Sequence, residues 1–438
     1  MTGNATTWMQ EVPDGWAVQP LRGLAIFFKG LPITKTDLAD RGIPVVSYGQ
    51  VHSKLNSGVA LNDELVRFIP EDLTAGGKGS LLRRGDLVFA DTSEDLDGVG
   101  NAICIDSDKT IYSGYHTVTL RLTTDRLYSR YLAYLILTDE WRSQLRSYAN
   151  GVKVFSVTHA MLKRTYTLIP PIKEQHSIVN ELDSATKAIH SSIEILERQV
   201  AILNDYRKSI IQETVTKGLD PTVDTKPSGI DWIGDIPIHW QLKKVKNISE
   251  SRNGLDYVAE DVCGPDDTGA TLVVRSSNLD GNGMVFDDCV YLNKRIPSAL
   301  RLQKDDIVIV RTNGSRELVG KNALVSENGI GTIGAFMLLC RSPYPRYLHW
   351  ILNSQLFPRY LGTFETSTVN QITNGNLRNM VIPFCPDAQE REAICDYLDA
   401  KCAAIDRLIA GKHKQLETLR AQRQSLINEY VTGKRRVV

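Results

Sequence analysis

No Cys-x-x-Cys pair occurs in this 438-residue chain, and its seven cysteines (Cys104, Cys263, Cys289, Cys340, Cys385, Cys395 and Cys402) are odd in number. A disulfide framework is therefore not expected, no metal ligands are assigned, and a reducing cytoplasmic location fits best. Cys395 and Cys402 are seven apart in a helical pattern, so both are expected to pack against apolar neighbours. No apolar run approaches the roughly 18 to 20 residues of a membrane span, so no membrane contact is expected. The opening MTGNATTWMQEVPDGW lacks a basic start followed by an apolar block, so it does not read as a signal peptide. Neither sign of charge is in excess, with 51 Lys plus Arg against 51 Asp plus Glu. Proteins that grip DNA unaided usually carry a basic excess, so contact with nucleic acid would need local concentration of charge or a partner that supplies it. Catalytic signatures are missing too. There is no HExxH, no GxSxG and no GxGxxG after a strand, and in GGKGS (76–80) Lys78 is followed by Gly, not Ser or Thr. The eight histidines are scattered, although His52 and His116 could reach a ligand. No catalytic residue is assigned.

What the chain does contain is a repeat. Setting Glu174 against Glu390 aligns 45 positions without a gap, as far as Gly218 and Lys434, and fifteen are identical. Chance at average composition gives about three. Shared positions include Ile178/Ile394, Leu182/Leu398, Asp183/Asp399, Ile189/Ile405, Ile193/Ile409, Leu203/Leu419 and Arg207/Arg423. The match continues backwards more faintly. PDGWAVQPL around Trp16 resembles PIHWQLKKV around Trp240, LRRGDLVFADT (82–92) resembles LQKDDIVIVRT (302–312), and RYLAYLI from Arg130 resembles RYLHWIL from Arg346. The chain is two copies of one plan, each a variable globular part followed by a better-matched helix.

In the first helix the apolar residues fall at Ile178, Leu182, Ala185, Ile189, Ile193, Leu196, Val200, Leu203 and Ile210; in the second they fall at Ile394, Leu398, Ile405, Ile409, Leu416, Leu419 and Leu426, with some steps doubled to seven. Steps of three and four averaging near 3.5 predict one seam per helix. Each helix should run about 40 to 45 residues, roughly 60 to 67 Å. Pro170, Pro171, Pro383 and Pro386 mark the starts, and Gly218 and Gly433 lie near the exits. A lone helix of this kind is marginal in water, so each seam needs a partner, and the other copy is at hand. Connectivity makes such a pair antiparallel. The expected fold class is α+β: two mixed α/β recognition domains separated by two long antiparallel helices in a coiled coil, with pseudo-two-fold symmetry from the internal tandem repeat. Expected boundaries are a first domain at 1–168, a first helical region at 169–218, a linker at 219–236, a second domain at 237–383 and a second helical region at 384–438. The linker GLDPTVDTKPSGIDWIGDIP, rich in Pro, Gly and Asp, is expected to be an extended crossing and not an element.

Polar loops follow the predicted strands at equivalent places in both copies. VVS leads to Tyr48, Gln50, His52 and Lys54; LVV leads to Arg275, Ser277 and Asn278. GDLVFA leads to Asp91, Thr92 and Ser93; DDIVIV leads to Arg311, Thr312, Asn313, Ser315 and Arg316. A third pair sets Lys153 and Ser156 against Gln371 and Asn374. Arg with guanine, Asn or Gln with adenine, and Asp or Glu with cytosine is the chemistry of base-edge reading. The plainer reading is ordinary solvated turns.

This architecture resembles the specificity subunits of type I restriction-modification systems. The resemblance covers nearly all of the chain. It is carried by IPPIKEQHSIVNELD, LNDYRKSIIQETVTKGLD, KPSGIDWIGDIPIHWQLKKVKNI and their second-copy counterparts. The second helix start, IPFCPDAQERE, departs by three extra residues after its Pro and by a reversed Gln389-Glu390 pair. The resemblance implies a non-catalytic DNA-recognition subunit without a cofactor of its own. Each domain would read half of a bipartite double-stranded DNA target, and the paired helices would set the spacer. Expected partners are two modification subunits, which hold S-adenosylmethionine and methylate adenine, and restriction subunits that translocate and cut DNA with ATP. The competing expectation is a coiled-coil adaptor whose two heads bind proteins.

Overall fold

The computed structural model describes residues 7–9, 12–75, 77, 79–149, 154–281, 283–363 and 371–437. The chain divides into two compact units, Met1–Glu197 with Lys414–Val438, and Arg198–His413.

In the first unit a four-stranded antiparallel sheet runs in the order Ala25–Lys29, Thr117–Leu122, Leu87–Ala90, Ala102–Cys104. Side chains alternate across a strand, so LVFA has two buried faces. Leu87 and Phe89 join Tyr131, Leu135 and Trp141 from the helices Ser129–Ile136 and Asp139–Tyr148. Val88 and Ala90 join Val46, Val51, Leu65 and Ile111 on the other side. Trp141 is fully buried and stacks on Phe89 with ring centroids 6.2 Å apart. A three-stranded sheet (Arg67–Ile69, Ile43–Val46, Tyr112–Ser113) lies beyond that second face.

The second unit repeats the plan. Its antiparallel sheet runs Glu250–Asn253, Met337–Arg341, Ile307–Val310, Asn322–Leu324. Ile307 and Ile309 face Tyr347, Leu348 and Ile351, while Val308 and Val310 face Val274, Leu279 and Ile333. Polar locks repeat as well. Arg121 holds the buried Asp86, and Arg341 holds the buried Asp306. Trp16 Nε1 donates to Glu174 over 3.1 Å, and Trp240 Nε1 donates to Glu390 over 3.0 Å. Arg130 pairs with Asp183 at 2.9 Å, and Arg346 with Asp399 at 2.6 Å. Each lock ties a globular part to the start of its own long helix or closes its sheet.

The two long helices are Ile172–Lys217, 46 residues, and Ala388–Val431, 44 residues. Each follows a short strand, Tyr166–Ile169 or Val381–Phe384, that ends at or beside proline. Inside the first unit their segments run antiparallel: Glu174 meets Arg436 and Glu197 meets Arg420, both at 2.8 Å. Ile189, Ile193 and Leu416 cluster there, with Leu196 and Leu419 packed against them. Ile178 and Leu182 instead enter the main core of that unit. Inside the second unit the direction is also antiparallel, with Gln199 against Lys412 at 2.6 Å and Arg207 against Asp406 at 3.2 Å. Ile394, Leu398 and Ile405 are buried there together with Cys395 and Cys402, and Leu203 and Ile409 pack at the edge.

The linker differs from its expectation. Within 219–236 and just beyond, Thr225–Pro227 pairs antiparallel with Asp235–Pro237 as a hairpin. Ile233 and Ile236 are buried in the second unit's core, and that burial organises the segment. Gly229 and Gly234, at φ +72° and +76°, make the turns that a side chain would resist. Pro and Gly marked the turns; the two isoleucines made them an element.

Candidate nucleic-acid interface

The loop clusters are built on a main-chain frame that is the same in both units. Strand Leu87–Ala90 ends at Asp91, whose amide donates to the His116 carbonyl at 3.1 Å and whose carbonyl accepts from Val157 at 2.7 Å. Strand Ile307–Val310 ends at Arg311, whose amide donates to the Phe336 carbonyl at 2.8 Å and whose carbonyl accepts from Ile372 at 2.9 Å. Next along, Thr92 pairs with Ser156, and Thr312 pairs with Gln371. The neighbouring strands end alike. Ser47 donates its amide to Gln50 Oε1 and Arg275 donates its amide to Asn278 Oδ1, each at 3.0 Å.

A glycine pair sits under each frame. A Cβ on Gly30 would lie 1.8 Å from the Gly114 carbonyl oxygen, and one on Gly254 would lie 2.0 Å from that of Gly334. Gly114 and Gly334 in turn donate their amides to Val46 and Val274. The turns carrying Tyr115-His116 and Ala335-Phe336 are thus pinned by backbone-to-backbone approach that only glycine permits.

Upon that shared frame the side chains differ. In the first unit Tyr48 lies 4.6 Å from His52 and 6.3 Å from His116, centroid to centroid. Asn101 Nδ2 donates to His52 Nδ1 at 3.1 Å, which leaves His52 Nε2 to donate to the Thr92 carbonyl at 2.9 Å. His116, at φ +52°, sets Nδ1 3.1 Å from Asp91 Oδ1. Burial, and then the charges of Glu94, Asp95 and Asp91, hold the Tyr48 phenol above its ordinary value. This cluster is acidic and rich in acceptors. In the second unit Arg275 pairs with Asp288 at 2.8 Å, and Arg311 Nη1 donates to the Ala335 carbonyl at 3.3 Å. Arg311 and Arg316 form no ion pair among the described residues. Asn313 Oδ1 accepts the Ser315 amide at 2.9 Å. This cluster is cationic and rich in donors.

The sequence-derived residues therefore fall into three groups. Lys54 and Ser156, and in the other unit Ser277, Ser315, Arg316 and Gln371, are exposed, while Tyr48, His52, Asp91, Thr92, Arg275, Arg311, Thr312 and Asn313 are partly exposed, with the Nε atoms of Arg275 and Arg311 buried. Gln50, Ser93 and Asn278 are buried, and they shape turns: Ser93 donates to the Asp95 carbonyl, and Asn278 donates to the carbonyls of Val285 and Asp288. Asn374, half-buried, binds Ser251 through both ends of its amide. Lys153 lies outside the described residues. Phe336, 68% exposed beside Arg311, was not singled out from the sequence. The alignment of GYHTVTL with GAFMLLC would have found it opposite His116.

Two copies of one α+β plan, carrying unlike polar clusters on matching frames, define a tandem-repeat protein with two different polar faces. No protein-family model matches the chain. It is 26% identical over 319 residues to the type I restriction enzyme MjaVIII specificity subunit of Methanocaldococcus jannaschii, covering 70% of each protein. It is 22% identical over 460 residues to the putative type I restriction enzyme MjaX specificity subunit of the same organism, covering 98% of this chain and 96% of that one. A chain from a structure titled for complex assembly and conformational transition of the type I R-M system shares the fold. Its TM-score is 0.71 at 16% identity, over 97% of this chain and all of that one. The chain is related along its length to the specificity subunits of type I restriction enzymes. No helix among the described residues is long and apolar enough to cross a membrane.

Proposed function

We propose that the protein is the DNA sequence-specificity subunit of a type I restriction-modification complex. Residues 1–168 and 237–383 each read one half of a bipartite double-stranded target. The helices in 169–218 and 384–438 pair along their lengths, fix the unread spacer and dock two adenine-methyltransferase subunits. Restriction subunits join that core, and all catalysis and S-adenosylmethionine binding reside on partners. The supporting observation is the duplicated frame with unlike tips. Matching hydrogen bonds at Asp91 and Arg311 present acceptors in one unit and donors in the other. Acceptor side chains suit the amino groups of cytosine and adenine, and guanidinium groups suit guanine. Two half-sites of different sequence require that division. The antiparallel helix contacts inside each unit support the spacer role. With charges balanced overall, phosphate contacts come largely from the modification subunits closing around the duplex.

Methylome sequencing with and without the gene tests the reading. A split motif with methylated adenines should disappear on deletion. If every adenine-methylated motif persists, or if the chain binds protein partners with no DNA requirement, the adaptor reading takes its place.

A further inference from the structure

Away from the loop clusters, three side chains from separate parts of the second unit converge. His239 immediately precedes Trp240 and the strand Gln241–Lys244, Cys385 follows the strand Val381–Phe384, and Glu390 lies in the first turn of the second long helix. Glu390 Oε2 is 2.8 Å from His239 Nε2 and 3.1 Å from Cys385 Sγ, and the three ligand atoms lie within 4.8 Å of one another. Glu390 Oε1 accepts from Trp240 Nε1, which fixes how the carboxylate presents its other oxygen.

We propose that His239, Cys385 and Glu390 form a binding site for a single transition-metal cation of the zinc class. Imidazole, thiolate and carboxylate are all zinc ligands, bonding at about 2.0 to 2.3 Å, and small side-chain rotations bring the present separations to that geometry. A sulfur and an imidazole nitrogen in the set disfavour magnesium and calcium. The indole–carboxylate hydrogen bond is an outer-shell contact of the kind that orients ligands. His239 and Glu390 keep 39% and 28% of their side-chain surface open, so an ion can approach from their side, where a water can fill the fourth position, while the buried Cys385 closes the inner side of the site. Binding releases the thiol proton, so uptake strengthens as pH rises.

The first unit is the internal control. Trp16 and Glu174 make the same indole–carboxylate lock there, but the carboxylate is neutralised by Arg436 at 2.8 Å. Gly15 stands where the second copy has His239, and IPPIKE has no cysteine. The lock therefore works without either residue. In the second copy the arginine's place is taken by a histidine, and a cysteine is added. Both are ligand types.

Full-length chain freed of metal with a chelator and titrated with cobalt(II) tests the site. One equivalent should bind, with a thiolate-to-cobalt charge-transfer band that zinc abolishes by displacement. Cys385→Ser should remove the band, and His239→Ala should weaken binding about tenfold or more. The pair Cys263→Ser and Cys289→Ser, which removes the more accessible thiols, should leave the band intact. Absence of a band in the unaltered chain, or a band that survives Cys385→Ser, overturns the proposal. Should Cys385→Ser fail to fold, His239→Ala decides alone, since that side chain is exposed: unchanged cobalt affinity overturns the site.

Discussion

Arg341 grips Asp306 through two hydrogen bonds, Nε to Oδ1 at 2.7 Å and Nη2 to Oδ2 at 2.9 Å, with the carboxylate almost wholly out of water. The carboxylate also accepts the Gln303 amide at 2.8 Å, and its hydrogen bonds hold the Arg341 guanidinium above its ordinary value. Asp86 and Arg121 repeat the arrangement in the other unit. Removing one member of such a pair strands the other. Asp306→Ala should cost about 3 kcal/mol, at the lower end of the range because Arg341 is partly exposed. The fall in urea midpoint measures it, and Asp306→Asn, which keeps an acceptor for the turn amide, should cost less.

His349 gives the second unit a pH dependence. Burial, foremost, pushes its imidazole down from 6.5 to about 4, against a smaller opposing pull from Asp399 and with a small contribution from Arg207. It is neutral in the fold, with Nδ1 donating to Asn322 Oδ1 at 2.8 Å. The unfolded chain takes up the proton first as pH falls. Its contribution is therefore complete above about pH 6.5 and is lost progressively toward pH 4, by about 3 kcal/mol in total. Urea midpoints across that window should fall for the unaltered chain and fall less for His349→Gln.

Arg311 is the strongest single candidate for base contact, since it is partly exposed, has no carboxylate partner among the described residues and lies beside Thr312 and Gln371. Arg311→Ala should weaken binding of the assembled complex to its target by about 1 to 3 kcal/mol and relax one position of one half-site. Electrophoretic titration against single-base variants reads both effects. A loss below about 0.5 kcal/mol would place Arg311 off the reading surface.

Exchange of 1–168 for the first recognition domain of a relative should alter one half of the methylated motif and leave the other half unchanged. Sequencing of the methylome scores this directly, and changes in both halves would count against independent readers.

Insertion of one heptad within Ile172–Lys217 should lengthen the spacer or abolish methylation while the half-site sequences persist. An unchanged spacer would remove the helices from the measuring role.

The repeat and the helices were legible because periodicity survives in sequence: Ile178, Leu182, Ile394 and Leu398 recur in phase, and all four are buried. The seam is looser at Leu196 and Leu419, which pack on the small helix–helix cluster, and at Leu203 and Ile409, which lie at the edge of the second unit's core; all four are only partly buried. The loop positions were legible, but their side-chain directions were not. Gln50 and Asn278 looked like free amides, yet each is the fourth residue of a turn whose first amide it satisfies. Ser47-Tyr-Gly-Gln resembles a capping box, and that signal was available. Cys385, Glu390 and His239 could not be grouped from sequence, because their proximity exists only once two strands and a helix have met.

Because Gly30 and Gly254 hold the turns from below and main-chain hydrogen bonds hold them from the side, little of the frame's geometry depends on which side chain stands at positions 91, 311 or 336, whereas position 116, at φ +52°, tolerates fewer residue types. Substitution at 91, 311 or 336 should leave the chassis intact. A combinatorial library confined to positions 91, 311 and 336 should therefore inherit a folded scaffold, which circular dichroism of its members checks.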